Sequence, residues 1–382
     1  AKCLLAWRAE GVLIADPEPS IYAYAQRFTL PCDPSHKEYE RRGFIALGKL
    51  EDYENEIVHR HEQTLSGPKT DRLNLLRATQ AHCGQIFMIY SDPDRQVDNL
   101  LFGGSGTAQQ SGTAAAAPAP DADIMDEYGV RHRLWRVSES GIVRRVQEAM
   151  LNKKLIIADG HHRYETALNY RDERRAQAGG LNPEAPYERV MMTFVNMDSE
   201  GLVVLPTHRV VFGLERFDPA AFVEAARPFF AVNALRERVT TTSATSLLGQ
   251  KAQSGTALIA VTERADFIIE QRDDCTAAER LLAGLSQRQH ALDVVQLHKI
   301  LLEHVLNISP EAIREQTNIR YVRGAEDAIH QVRSGKAQAA FLMNPVRLEQ
   351  VSEIAFAGEV LPQKSTDFYP KLLSGLTIYA LE

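Results

Sequence analysis

The sequence predicts a mixed α/β or α+β protein with two or three packed units. Its 382 residues exceed the usual size of one domain, and 44% hydrophobic with 24% charged residues is an ordinary globular composition. Short apolar or alternating runs, which are typical of strands, alternate along the chain with longer segments of helical periodicity. Because both kinds of element recur along the whole chain, an all-helical or all-strand fold is excluded.

The strands predicted in the first part of the chain are short and mostly apolar: Tyr22–Phe28, Arg42–Leu47, Ile86–Tyr90, His132–Val137, Leu155–Ala158, Arg189–Met197 and Val203–Val211. The turn-rich stretch Pro31–His36 joins the first two as a hairpin. Helical spacing marks Asp71–Thr79, Ser140–Met150 and Tyr164–Arg175, the last with Ala167, Leu168 and Tyr170 inward. Further on, helices are predicted at Pro219–Phe230, Leu292–Leu306 and Glu326–Ser334, with strands at Ala257–Val261 and Ala339–Met343.

Residues 103–122 are rich in Gly, Ser, Ala and Pro. Such a segment buries too little apolar area to offset its ordering entropy, so we predict a flexible insertion. It separates an N-terminal part of the core, residues 1–102, from the rest of that core, residues 123–212, and residues 213–382 form a second, C-terminal α/β domain. The chain opens on Ala1 in an apparent helix, and we expect further residues upstream.

Charge and cysteine usage narrow the class of protein. The formal net charge is −7, whereas a nucleic-acid binder normally presents a basic face. The four cysteines have neither metal-ligand nor redox spacing, which favours buried thiols in a reducing compartment. No apolar run reaches the ~20 residues of a membrane span, and no signal peptide is evident. We therefore expect a cytoplasmic protein without nucleic-acid or membrane partners; the sequence gives no indication of its oligomeric state.

The strongest local signal is Asp159-Gly160-His161-His162-Arg163, which lies between a predicted strand and a predicted helix. When a strand, a tight turn and a helix follow one another, the unpaired N–H groups and the positive end of the helix dipole face the turn. Gly160 allows close approach of backbone to a ligand, the two histidines and Arg163 add donors, and Asp159 can hold Mg²⁺. The pattern predicts a phosphate-handling turn.

Two other interpretations of this turn are open. Asp159 could cap the helix while the histidines face solvent. A zinc site is the sharper alternative, although adjacent histidines rarely give both side chains to one ion and the spacing is not HExxH.

Three further segments mix charged and hydroxyl side chains. His61-Glu62, followed by Gln63-Thr64, could supply a general base toward a hydroxyl. Thr207-His208-Arg209 and Lys364-Ser365-Thr366 suit phosphate or carboxylate. Taken alone, each of the three is more typical of a surface loop.

The segments VHRHEQTL, IIADGHHRYETAL, LPTHRVV and LPQKSTDFYPKLLSGL together resemble a bacterial family known as a domain of unknown function. The ADGHHR motif is its most specific mark, and the likeness covers nearly all of the chain. Members also have an N-terminal Pro-Pro-Tyr-Asp-type motif, which is absent from this sequence.

The same segments, in the same order, resemble the free L-serine kinases of the ParB/sulfiredoxin-like superfamily. Those enzymes phosphorylate free serine with ADP or, in some bacteria, pyrophosphate. Their Pro-His-Glu-Gln segment, which supplies the catalytic glutamate, is similar to residues 60–63 here, with Arg60 in place of proline. Their Asp-Gly-His-His-Arg turn cradles the donor phosphate, and their C-terminal Pro-Lys-Thr-Thr is similar to residues 362–366. Tyr164 replaces their tryptophan, and Glu62 and Asp159 lie farther apart in sequence.

The resemblance implies a ParB/sulfiredoxin-like mixed-sheet core in which residues 123–212 bind phosphate. It also implies that the protein is a small-molecule phosphotransferase that makes O-phosphoserine from L-serine, with pyrophosphate or ADP as donor and with Mg²⁺. The implied catalytic residues are Glu62 as base, Asp159 on Mg²⁺, and His162. The implied donor ligands are Gly160, His161, His162, Arg163, His208 and Arg209, and the implied substrate ligands are Thr207, Lys364, Ser365 and Thr366.

Two other functions remain open at this point. One is a ParB-type protein in which the turn holds a nucleotide as a switch and DNA is the partner, and the acidic charge disfavours it. The other is a metal-dependent phosphoesterase that uses His61, Asp159 and His161. No GxxxxGK[ST] loop is present, which disfavours ordinary ATP chemistry.

Overall fold

A computed structural model describes residues 1–382 except 32, 34, 63–66, 104–118, 253–254, 273–275 and 382, and residues 67–69 by their backbone only. The described chain forms two compact units. Unit 1 comprises Ala1–Val203 and Pro370–Glu382, and unit 2 comprises Val204–Tyr369.

The strands are β1 (Ile21–Thr29), β2 (Glu38–Lys49), β3 (Val58–His59), β4 (Ala81–His82), β5 (Ile86–Tyr90), β6 (Ala122–Met125), β7 (Arg131–Val137), β8 (Leu155–Asp159), β9 (Arg189–Asn196), β10 (Val203–Leu205), β11 (His208–Val211), β12 (Phe230–Ala234), β13 (Ala257–Thr262), β14 (Asp266–Gln271), β15 (Ile319–Val322), β16 (Ala339–Met343), β17 (Asp367–Tyr369) and β18 (Tyr379–Ala380). The α-helices are α1 (Lys2–Ala9), α2 (Gly67–Thr79), α3 (Gln96–Phe102), α4 (Ser140–Met150), α5 (His161–Ala178), α6 (Pro219–Ala226), α7 (Thr241–Lys251), α8 (Thr276–Leu281), α9 (Gln287–His290), α10 (Asp293–Gln296), α11 (Pro310–Glu315), α12 (Ala325–Arg333) and α13 (Leu348–Phe356). Short 3-10 helices cover Tyr53–Asn55 and Pro186–Glu188, and a π-helix covers Leu297–Val305.

Unit 1 is built on an eight-stranded mixed sheet in the order β3-β8-β5-β9-β2-β1-β7-β6. Strands β3 and β8 are parallel, as are β5 and β9, whereas the other neighbours are antiparallel. The main core packs apolar side chains of the sheet against α4 and α5, and Ile86, Met88, Ile157 and Tyr164 are essentially excluded from solvent. This burial fixes the place of β8 and of the helix that follows it.

The C-terminal tail, Pro370–Glu382, belongs to unit 1 and not to the C-terminal unit. The fully buried Arg41 donates from Nη2 to the Pro370 carbonyl at 2.6 Å, and Gln26 Nε2 donates to the Lys371 carbonyl at 2.9 Å. Strand β18 then pairs with β4. Burial lowers the pKa of Arg41 to about 10, so the guanidinium stays charged at pH 7 while it holds the tail.

Unit 2 is built on a six-stranded antiparallel sheet in the order β12-β14-β13-β16-β11-β15. Its core joins this sheet to α7 and α12 and includes Val210, Ile259, Val261, Ala328 and Leu342. Strands β10 and β17 form a separate two-stranded sheet.

The predicted fold class, a mixed-sheet core with a second C-terminal α/β unit, is confirmed. The boundary differs from the expected one at residues 212 and 213. Residues 208–211 form β11, which pairs with β15 and β16 of unit 2, and the last residues of the chain return to unit 1. Strand partners that are distant in sequence cannot be recognised from hydrophobic pattern alone.

Three local predictions need correction. The helix from Pro219 ends at Ala226, and Phe230 begins a strand, because Pro228 has no N–H with which to continue the helical hydrogen bonds. The helix predicted over Leu292–Leu306 is α10 followed by a π-helix. Of the described cysteines, Cys3 and Cys83 are exposed instead of buried. The insertion is described only at residues 103 and 119–122, so residues 104–118 lie outside the described chain.

Candidate functional site

Parallel pairing of β3 and β8 brings two distant sequence motifs to one edge of the sheet. Val58 is paired with Leu155 and His59 with Ile156, so the segments after both strands emerge side by side. His61 Nδ1 lies 2.8 Å from the Ile157 carbonyl oxygen, and its ring meets the His161 ring edge-on with 4.9 Å between centroids. The half-buried Glu62, next in the chain, therefore stands beside the 159–163 turn. Gln63 and Thr64 lie outside the described residues.

Helix α5 begins without a capping side chain. Its N-cap is Gly160 at φ +97°, a residue without a side chain that could accept a hydrogen bond, and no acidic residue lies in the first turn. Gly160, and not Asp159, is therefore the N-cap residue, and His161 is buried instead of facing solvent. An 18-residue helix with an uncapped N-terminus presents backbone N–H groups and a partial positive charge to an anion.

Hydrogen bonds between α5 and the loop that precedes β3 fix the position of this helix. The buried Tyr164 hydroxyl donates to the Glu51 carbonyl at 2.6 Å and accepts from the Glu51 N–H at 3.0 Å. About two turns further along, Arg171 donates to the Leu50 carbonyl at 3.2 Å and to Asp52 at 2.7 Å. The helix start is thus held to the loop that leads into β3, which keeps the two motifs in register.

Arg163 folds back over Gly160. A β-carbon on Gly160 would lie 2.8 Å from Arg163 Nη2 and 3.0 Å from its Nε, so only glycine leaves room for this guanidinium. Arg163 Nη2 is also 3.6 Å from the Asp159 carboxylate, and the buried Arg163 Nε has no hydrogen-bond partner among the described residues. The turn therefore holds a partly exposed guanidinium beside the start of α5.

His61 and His161 are buried and neutral at pH 7. Burial is the main cause that lowers the pKa of His61 to about 4. The pKa of His161 falls well below its usual value through burial and through repulsion by His61, His162, Arg60 and Arg163. A neutral imidazole can donate or accept a hydrogen bond, and the contact of His161 with the donor phosphate stays a prediction. Its Nε2 atom is buried and finds no partner within the described chain.

The sequence reasoning missed three residues beside the turn. The exposed guanidinium of Arg60 stacks 5.2 Å from the centre of the Tyr53 ring and lies close enough to lower the pKa of His161. A side chain at Gly84 would stand 3.7 Å from Arg163 Cδ and 3.8 Å from the Ser374 hydroxyl oxygen. In the sequence, Arg60 is distinguished only by replacing a proline, and Ser374 lies in the predicted C-terminal domain.

Metal binding was expected at Asp159. Within the described ranges, no three His, Cys, Asp or Glu side chains converge on a point where a metal ion could sit, so neither a zinc site nor the set His61, Asp159 and His161 is formed. Mg²⁺ requires fewer protein ligands, because it is commonly bound by one or two carboxylates together with water and phosphate oxygens. The Asp159 side chain, 42% exposed at the end of β8, fits that requirement.

In unit 2, His208 and Arg209 are enclosed by protein. His208 Nδ1 accepts from the Met343 N–H at 3.3 Å, and burial lowers the pKa of this imidazole to about 4. Arg209, with no exposed surface, donates to the Thr207 carbonyl, to the Lys364 carbonyl at 3.1 Å and to His298 Nε2 at 3.2 Å. These bonds correct the expected donor-phosphate contacts, because a buried guanidinium satisfied by backbone oxygens serves the fold.

The predicted substrate ligands of unit 2 differ in exposure. Lys364 is exposed and has φ +57°, an uncommon backbone conformation for a residue other than glycine. Arg209 donates a hydrogen bond to the Lys364 carbonyl. The Ser365 side chain is buried, and its hydroxyl donates to the Pro362 carbonyl at 2.5 Å, which contradicts a substrate contact. Thr207 and Thr366 are half-buried. Lys364 and Thr366 stay predictions.

Fold and site together define a two-unit α/β protein whose unit 1 carries a glycine-capped turn with a guanidinium at the start of α5. The family model described as "Protein of unknown function (DUF1015)" matches residues 1–295, and the chain belongs to this family, as its ADGHHR motif predicted. No curated protein matches the sequence.

Similar solved structures cover most of the chain. They include a conserved hypothetical protein from Pyrococcus furiosus, with 14% identity, a TM-score of 0.41, and coverage of 88% of this chain and 95% of that one. A free serine kinase in complex with AMP has 15% identity, a TM-score of 0.41 and coverage of 85% and 86%. SbnI with C-terminal truncation from Staphylococcus aureus has 10% identity, a TM-score of 0.38 and coverage of 86% and 85%. No helix in the described part of this chain has the length and apolarity to cross a membrane.

Proposed function

We propose that the protein is a small-molecule phosphotransferase that acts on an alcohol, with free L-serine as the preferred acceptor. The reaction class follows from the site in unit 1, and the acceptor follows from the motif resemblance to free serine kinases. The proposed donor carries a phosphoanhydride bond, as in pyrophosphate or ADP.

One observation supports this function above the others: a carboxylate segment and an anion-binding turn leave adjacent parallel strands. The contacts of His61 with Ile157 and His161 hold the segment that contains Glu62 against the start of α5. Phosphoryl transfer needs a group that accepts the hydroxyl proton and positive charge around the phosphate, and needs little covalent help from protein. The site offers both kinds of group.

In the proposed reaction, the acceptor hydroxyl oxygen attacks the terminal phosphorus of the donor. The hydroxyl proton passes to the Glu62 carboxylate while the bond from phosphorus to the bridging oxygen breaks. The products are O-phosphoserine and the donor shortened by one phosphoryl group. Arg163, Arg60 and the N–H groups of α5 stabilise the negative charge on the phosphate oxygens.

Asp159 would hold Mg²⁺, which would offset the negative charge of the donor phosphates. The neutral His161 would hydrogen-bond a phosphate oxygen through Nε2, since that atom has no partner in the described chain. Because His162 follows His161 in the same uncapped turn, it stays a predicted catalytic residue. Lys364 stays the predicted ligand of the serine carboxylate, on the strength of its exposed ammonium group.

The direct test is product formation. The protein is incubated with L-serine, Mg²⁺ and, separately, pyrophosphate, ADP or ATP, and O-phosphoserine is measured by mass spectrometry. The variant Glu62→Gln should keep the fold and donor binding but lose turnover, because the amide cannot take the proton. The matched control is Glu127→Gln, an exposed residue between β6 and β7 at the opposite end of the sheet order.

The outcomes separate the possibilities. O-Phosphoserine with wild type and Glu127→Gln, but not with Glu62→Gln, supports the proposal. No product from any donor with serine or another hydroxyl compound refutes the reaction class. Equal turnover in Glu62→Gln and wild type removes Glu62 as the base.

A further inference from the structure

A large cavity lies within unit 2, and none of the residues that line it has a role in the proposed phosphotransfer. Its volume is about 1090 Å³. It opens between the end of strand β16 and the helical segments α8, α9 and α10, and its lining includes Phe229, Arg272, Glu279, Leu292, Asp293 and Arg347. Small-molecule sites commonly have volumes of about 300–1,000 Å³, so the cavity has the size of a ligand site.

Opposite charges face this cavity without pairing. Asp293 and Arg347 both line it. Their charged groups do not form an ion pair within 4.0 Å, but the charge of Arg347 is close enough to lower the pKa of Asp293. Burial raises the pKa of Asp293 to about 6, so the carboxylate is mostly ionised at pH 7. An acid and a guanidinium held near each other but apart can each accept one end of a ligand that carries both charges.

A buried hydroxyl lies beside the acid. Thr256 is 3% exposed, and a hydrogen bond from its side chain to Asp293 offsets part of the rise in the pKa of that carboxyl. This contact favours the ionised form of Asp293, which is the form that an ammonium group would bind.

The rest of the lining narrows the class of ligand. A second acid, Glu279, and a second guanidinium, Arg272, keep the charges of the wall balanced. The two carboxylates disfavour phosphates, and the guanidiniums disfavour simple cations. Phe229 and Leu292 supply apolar surface on which an uncharged side chain can pack.

We propose that this cavity binds a free amino acid, with its carboxylate on Arg347 and its ammonium group on Asp293. The proposal uses other residues than the proposed phosphotransfer and does not depend on that function.

The test uses the full chain and the standard amino acids as probes. Each is screened for a rise in melting temperature and then titrated by calorimetry. Any amino acid that binds is compared with its carboxamide and with its N-acetyl derivative, each of which lacks one of the two charges. The variants Arg347→Gln and Asp293→Asn each remove one expected ligand. The matched controls Arg314→Gln and Glu311→Gln remove exposed charges of the same types on α11 of the same unit.

We expect at least one amino acid to bind with one molecule per chain at this site. Each cavity variant should weaken that binding by about tenfold or more, and both controls should bind like wild type. If Asp293→Asn fails to fold, the exposed Arg347→Gln carries the comparison by itself.

Absence of binding by every amino acid, equal binding by Arg347→Gln and wild type, or equal binding of the uncharged derivatives would overturn the inference. Binding that responds to Arg163→Gln but not to Arg347→Gln would assign the ligand to the phosphotransfer site and also overturn it. Failure of the serine kinase assay leaves these titrations unaffected, so the two proposals fail separately.

Discussion

Replacing Gly160 with alanine perturbs the proposed site in two ways. Gly160 has φ +97°, where a residue with a β-carbon is strained. The new β-carbon would also lie 2.8 Å from Arg163 Nη2 and 3.2 Å from Cζ, so the guanidinium must leave its place. Gly160→Ala therefore tests whether the position of Arg163 determines donor binding.

The two effects have different magnitudes and different measurements. Left-handed strain should lower the free energy of unfolding by about 1–2 kcal/mol, which corresponds to a few degrees in melting temperature. Loss of the charge-assisted hydrogen bonds of Arg163 removes about 1.5–3 kcal/mol of donor binding. We therefore expect the KM for pyrophosphate or ADP to rise roughly tenfold to a hundredfold, measured by O-phosphoserine formation at varied donor concentration.

Gly179→Ala is the matched control. Gly179 ends the same helix at φ +75°, and a β-carbon there would meet nothing within 4 Å. This variant should lose a similar amount of stability and keep the wild-type donor KM. An unchanged donor KM in Gly160→Ala, or an equal rise in both variants, would refute the reasoning about Arg163.

Three further predictions concern other parts of the chain. Arg60→Gln should raise the donor KM severalfold with little change in kcat, since Arg60 is expected to bind the donor electrostatically; an effect that does not diminish with added salt would contradict this. The folded-state pKa of His61 is about 4 against 6.5 when unfolded, so its contribution is complete above pH 6.5 and is lost as pH falls toward 4. Unfolding by urea at pH 5 and pH 8 should differ by about 2 kcal/mol from this residue alone, and His61→Asn should reduce the difference. Arg209→Lys should lower the free energy of unfolding of unit 2 by about 2–4 kcal/mol, because an ammonium cannot reach all its acceptors; an unchanged thermal melt would contradict that.

Much of unit 1 could be predicted because its signals are local. Periodicity gives Ser140–Met150 the bounds that α4 has, and the apolar run before Asp159 is β8. The strand–turn–helix order around Gly160 also follows from short-range pattern. Each of these depends on neighbours in sequence, which propensity and periodicity describe.

Burial of polar side chains was not predictable. His161 and Arg209 carry groups suited to phosphate, and nothing in their sequence neighbourhood shows that the first is neutral and the second enclosed. Ser365 likewise has a hydroxyl that the fold uses on Pro362. Such assignments depend on tertiary packing, which the residue type does not specify.

Pairing between segments that are distant in sequence could not be predicted either. The parallel register of β3 and β8, which joins Glu62 to the turn, links residues about one hundred positions apart in sequence and could only be inferred through resemblance. The return of the tail to Arg41, and with it the place of Ser374 beside Arg163, had no sequence signal. Both features are contacts between distant segments.

The most direct test of the central claim is phosphorus NMR of the donors in the presence of the protein. With Mg²⁺ present, pyrophosphate or ADP should show saturable binding of one molecule per chain to wild type and to the control Arg174→Gln on the same helix, and almost none to Arg163→Gln. If neither compound binds wild type, or if Arg163→Gln binds equally well, the turn from Asp159 to Arg163 is not a phosphate site.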